Sequence, residues 1–205
     1  MSNKELNKKY RLIADEERSF IRSVVIYMRA KMGHPFWHWL IPFKAVFEII
    51  ATRRMVDEYS KNVMYVKQLA LDSAFHLNQD QDRSALEQDM ERRIQSWLEN
   101  LQLYTDSIFQ KQRELARVLL EHYDRLLKSD GKSYQELVKH AYQSSTEYET
   151  FLHKISQQEL KIDDEVFQIA SGQVESSQKL EENMRLKQES LRQNRERDVQ
   201  RVFFK

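Results

Sequence analysis

The sequence predicts an all-α protein, an elongated antiparallel bundle of about four long helices with a C-terminal helical arm. Three observations predict it. The 205 residues include only three glycines and two prolines, so nearly the whole chain is free of helix breakers. Apolar residues recur with the 3.6-residue period of a helix and nowhere with the two-residue period of a strand. Two Ser-x-x-Glu sequences, Ser84 to Glu87 and Ser133 to Glu136, stand where periodic stripes begin, the arrangement of a capping box.

Each glycine, Gly33, Gly131 and Gly172, follows a helical stripe, as expected of a residue just past a helix end. The first helix runs over residues 3–32, where Leu6, Tyr10, Ile13, Phe20, Val24 and Met28 share one face. A second helix starts near Pro42, whose missing N–H costs nothing in a first turn. Val46, Ile50, Val56, Val63, Val66, Ala70, Ala74 and Leu77 carry it to the polar break at 78–84. The third opens at Ser84 and keeps a stripe from Met90 through Trp97, Leu101, Tyr104 and Ile108 to Leu126. The fourth opens at Ser133 and runs through Val138, Tyr148, Ile155 and Ile162 to Ile169. Helices of about 40 residues are some 60 Å long, which favours an elongated bundle with coiled-coil-like seams.

Residues 1–172 therefore form the bundle and residues 173–205 a charged helical extension. In the extension Val174, Leu180, Met184 and Leu191 are thinly spread among Gln, Glu and Arg, so this helix should be mostly solvated. Its expected role is self-association or partner binding, with Phe203 and Phe204 as contacts at its end.

Composition removes several function classes. There is no cysteine, hence no disulfide, thiolate metal site or cysteine nucleophile. Lys plus Arg number 33 against 32 Asp plus Glu, so no overall field steers the molecule to nucleic acid. The arginines at 192, 195, 197 and 201 are interleaved with Glu196 and Asp198, which weakens that reading further. The first residues lack a signal-peptide pattern. The longest uncharged run near the aromatic stretch, Met32 to Phe43, is about half the roughly 20 residues of a membrane span. A cytoplasmic protein, peripheral to a membrane at most, is expected.

No phosphate-cradling glycine loop or nucleophile elbow occurs. A carboxylate-bridged metal pair needs Glu-x-x-His, which is absent. Glu136 with His140 and Glu149 with His153 are four apart and read as exposed pairs. His34 and His38, separated by Pro35 and surrounded by aromatic rings, read as packed or interfacial residues, and His122 as a hydrogen-bonded core histidine. A metal-dependent bundle enzyme is thus only a remote alternative. No cofactor, metal or catalytic residue is assigned.

The segment HPFWHWLIPF, residues 34–43, is the most distinctive feature. From Arg18 to Arg54 there are seven Lys or Arg residues against one acid, Glu48, leaving an acidic excess elsewhere in the chain. Basic charge beside Trp and Phe suits the headgroup boundary of an anionic bilayer. The expected membrane or partner contacts are Arg29, Lys31, Phe36, Trp37, Trp39, Phe43, Lys44 and Phe47. The alternative packs these rings into the bundle's core and leaves a soluble scaffold or adaptor that assembles with protein partners, including further copies of itself. Glu17, which interrupts the first stripe, is expected to form a semi-buried ion pair with Arg53 or its neighbour Arg54.

Overall fold

A computed structural model describes residues 2–32, 52–171 and 177–204. Among these the fold is all-α, with seven helices and no strand: α1 (Asn3–Met32), α2 (Thr52–Leu77), α3 (Arg83–Asn100), α4 (Asp106–Lys128), α5 (Tyr134–Tyr142), α6 (Ser145–Ser171) and α7 (Ser177–Phe203).

Helix α4 is the axis of the packing. Eleven of its 23 residues are buried, a wider apolar sector than one contacting face requires, and it touches α1, α2, α3, α5 and α6. Cross-helix pairs fix the directions. Tyr10 meets Asp72 and Glu17 meets Lys67, so α1 and α2 are antiparallel. Arg83 on Glu121 and Arg117 on Glu91 set α3 antiparallel to α4, and Lys111 on Glu165 and Arg125 on Glu147 set α6 antiparallel to α4. Helix α7 runs back along α6, with Lys187 on Asp163 and Arg195 on Glu159, and antiparallel to α1, with Arg201 on Glu16.

Two of the long sequence-predicted helices are each divided. The third breaks after Asn100: Leu101 is the C-cap, Gln102 has φ 53°, and Thr105 accepts from the N–H of Ile108 to start α4. Tyr104, expected on the buried stripe, is therefore in a connector and 37% exposed. The fourth breaks at Gln143, with φ 57°, and Ser144 accepts from the N–H of Glu147. Ser144 to Glu147 has the spacing of a further capping box, with no glycine to mark it. The cap of α3 is Asp82, which accepts from the N–H of Ala85, while Glu87 pairs with Arg83. Ser84 is inside the first turn instead. At the next corner Ser133 accepts from the N–H of Glu136 as expected, and Glu136 accepts from the N–H of Lys132. A Cβ on Gly131 would come within 2.8 Å of the backbone nitrogen of Leu137, so close approach of chain to chain selects glycine there.

The largest correction concerns α7. The expectation of a mostly solvated extension fails: Leu186, Val199 and Val202 are buried, and so are Ser190 and Arg195. Its apolar stripe is thin because much of its contact is polar, through Arg195, Asp198 and Arg201, and hydropathy does not register such contacts. Deleting residues 173–205 would strip Glu16, Glu159 and Asp163 of their partners. It should lower the melting temperature by at least about 10 °C, since the apolar burial of Leu186, Val199 and Val202 is lost as well, about 1.5–3 kcal/mol for each side chain. A thermal unfolding curve unchanged by the deletion would return α7 to the role of a solvated arm.

Candidate functional site

The first site is polar and lies inside the bundle. Glu17 is 9% exposed because the 3.6-residue period places it inward on α1 between Ile13 and Ile21. Its carboxylate accepts from the Lys67 ammonium at 2.7 Å and from the Tyr123 hydroxyl at 2.8 Å, one bond to each oxygen. The expected cationic partner was Arg53 or Arg54, whose side chains lie outside the described residues. Lys67 also sits 5.2 Å from the centre of the Phe20 ring.

Beside this pair His122 projects from α4. Its Nδ1 is 2.6 Å from the Tyr142 hydroxyl and its ring stacks on Phe151 at 4.1 Å. Burial, reinforced by the charges of Lys67 and Arg125, holds its pKa well below the ordinary value, so the ring is neutral at pH 7. The hydrogen-bonded core histidine read from sequence is thus found, with Tyr142 as its partner. Its Nε2 has no hydrogen-bond partner among the described residues. Tyr148 donates to Asp198 at 2.6 Å, and its oxygen is 3.4 Å from that of Tyr134. Burial first, then neighbouring negative charge, pushes both phenols well above their usual pKa, so they stay protonated.

These groups border a cavity of about 210 Å³ between α1 and α7. One end is closed by Ser23 and Asn194, whose side chains are 2.7 Å apart, and the other by Arg201 on Glu16. Glu17, His122, Tyr134, Tyr148 and Arg195 are buried lining residues, whereas Ser19 and Arg197 are exposed and form its rim. The hydrogen bond of His122 runs to the phenol of Tyr142, which is itself largely buried. Among the described residues no three His, Asp or Glu side chains converge as metal ligands. His140 instead lies 2.5 Å from the carbonyl oxygen of Asp130, and His153 lies 2.9 Å from Gln157.

The second site is the end of the bundle where α1 stops and α2 begins. Lys31 is exposed, 5.9 Å over the Tyr27 ring, and Ile26 is 59% exposed. Arg29 and Arg53 belong to α1 and α2, but their side chains are outside the described residues. So, in full, are Phe36, Trp37, Trp39, Phe43, Lys44 and Phe47, together with His34 and His38. Of the two terminal rings, Phe203 packs against the core and lies 6.1 Å from Tyr148, while Phe204 is 64% exposed. The pair read together from sequence therefore splits, Phe203 ending α7 against the core and Phe204 standing just past it in solvent.

The chain matches no known family, no curated protein and no solved structure. Its functional reading rests on the chemistry of its own residues.

Sequence reasoning found Glu17 and His122 but did not bring Lys67, Tyr134, Asp198 and Arg201 to the same cavity. Only the antiparallel registers of α1 with α2 and with α7 do so. Glu17→Gln leaves the Lys67 charge buried without its counter-ion and should cost about 3 kcal/mol. Adding Lys67→Met should restore part of that loss in urea unfolding, and strictly additive effects would dissolve the pair. His122 makes a separate prediction. Its folded pKa is depressed, so its contribution is complete above the unfolded value of about 6.5 and is lost as pH falls below it, by up to about 1.4 kcal/mol per pH unit. Between pH 7 and 5.5 the urea midpoint should fall less steeply in His122→Gln than in the wild type. Parallel slopes would mean that His122 is not held neutral.

Proposed function

We propose that the protein is a non-enzymatic helical interaction protein that attaches to an anionic membrane surface through the basic, aromatic stretch of residues 29–54. One juxtaposition supports this reading. The antiparallel register set by Tyr10 with Asp72 and Glu17 with Lys67 brings the last turn of α1 level with the first turn of α2. The most aromatic and most basic part of the sequence thus leaves and rejoins the bundle at one end. Lys31 and Ile26, both exposed, lead into it. Trp and Phe rings favour the headgroup boundary, while Arg and Lys meet lipid phosphates. No helix among the described residues is long and apolar enough to cross a membrane, and peripheral attachment needs none.

A scaffold or adaptor that binds protein partners is the second reading. It is favoured by Leu160, 39% exposed beside a groove between α6 and α7 that Leu152, Leu191 and Val199 also line.

Sedimentation with vesicles separates the two. Wild-type protein should pellet with anionic vesicles and not with neutral ones, and salt should release it. The double substitution Trp37→Ser, Trp39→Ser should abolish pelleting while leaving the circular dichroism spectrum intact. Folded wild type that stays in the supernatant with anionic vesicles would transfer the case to the scaffold reading.

A further inference from the structure

The cavity between α1 and α7 is not used by a membrane contact at the end of the bundle, and its walls hold unspent hydrogen-bonding capacity. Lys67 has three N–H groups, and among the described residues its one hydrogen-bond acceptor is Glu17. His122 is 4% exposed and lines the cavity, and among the described residues only its Nδ1 is hydrogen-bonded. The cavity is open to solvent, so water can meet these groups, and a guest that displaces it must replace those hydrogen bonds. The remaining wall is apolar and partly flat: Phe151 stacked on His122, with Leu152 and Ile155 beside it. At the rim Arg197 is exposed and has no carboxylate partner among the described residues, whereas Arg195 and Arg201, the other lining arginines, are paired.

We propose that this cavity binds a small aromatic monocarboxylate carrying a second polar substituent. The ring lies along Phe151, Leu152 and Ile155, the substituent meets Lys67 and His122 Nε2 on the floor, and the carboxylate meets Arg197 at the rim. Size and charge select this class. The volume of about 210 Å³ is below the roughly 300–1,000 Å³ of pockets for drug-sized ligands, so the guest is small. Among the described residues that line the cavity a second negative charge would meet no free cation, because Lys67 and the other arginines already face Glu17, Glu159, Glu16 and Asp198. A purely apolar guest would leave the floor unsatisfied, at a cost of about 1–3 kcal/mol per buried group.

Calorimetric titration with 4-hydroxybenzoate tests the proposal, with benzoate and 4-hydroxybenzamide as the probes lacking the floor and the rim group respectively. Wild-type protein should bind 4-hydroxybenzoate at a single site and each comparison compound about tenfold more weakly, the loss expected of one hydrogen bond to a charged or buried partner. Arg197→Gln, at an exposed position, should weaken 4-hydroxybenzoate about tenfold while leaving 4-hydroxybenzamide unchanged. Ser19→Trp, which fills the rim without altering the floor, should abolish binding of all three. Absence of heat at millimolar 4-hydroxybenzoate would overturn the proposal, as would equal binding of all three compounds or binding that survives Ser19→Trp. None of these outcomes bears on the vesicle experiment, because residues 29–54 are untouched.

Discussion

The buried pair of Glu17 and Lys67 is the constraint around which the centre of this bundle is arranged. Two charges at 2.7 Å, each side chain 11% exposed, require both a partner and neighbours that satisfy their remaining valences. Tyr123 supplies one hydrogen bond from α4 and thereby ties three helices at a single point. A shift of α2 by one residue would rotate Lys67 away from the carboxylate and leave a bare charge in the core. The pair thus sets the register of α1 against α2 more stringently than the exchangeable apolar contacts around it, including Ile13, Val66 and Ala70.

From that register the other features follow. With α1 fixed on α2 and α4, its opposite face is left for α7, and the polar side chains on that face determine how α7 attaches. Arg201 between Glu16 and Asp198, and Asn194 against Ser23, hold the two helices at separate points and keep them from closing fully on each other. The space between these points is the cavity. Its neutral histidine and protonated phenols are consequences of burial, so the interior carries hydrogen-bonding groups with little free charge.

The fold class was legible because hydrophobic period and breaker scarcity are properties of local sequence. Helix α1 is read at its observed bounds, since Gly33 ends its stripe unmistakably. The interruptions at Gln102 and Gln143 were not read, because glutamine carries no intrinsic preference for the left-handed conformation that it adopts there. Thr105 and the Ser144 to Glu147 spacing were the available signals, weaker than a glycine but physically sufficient. Glu17 and His122 stood out as polar residues on apolar stripes. Their convergence with Lys67 and Asp198 was hidden, because it depends on how helices far apart in sequence are aligned. Helix α7 was misjudged for the same reason: a stripe of arginines and carboxylates looks solvent-facing until the complementary charges on α1 and α6 are placed beside it.

The attachment of α7 to α1 has a consequence for the order of events during synthesis. Arg201 and Glu16 are 185 positions apart, so the face of α1 that ends up covered must wait until those residues have been made. Contacts of such long span are slow to form, and surfaces that await them stay open to other chains in the meantime. The waiting surface along the cavity is Glu16, Glu17, Ser19, Phe20 and Ser23, mostly polar. A polar seam of this kind can stay hydrated without adhering to a neighbouring nascent chain, which an apolar seam of the same length would do. The sparse hydrophobicity of the last helix is in that sense a safeguard for an incomplete polypeptide.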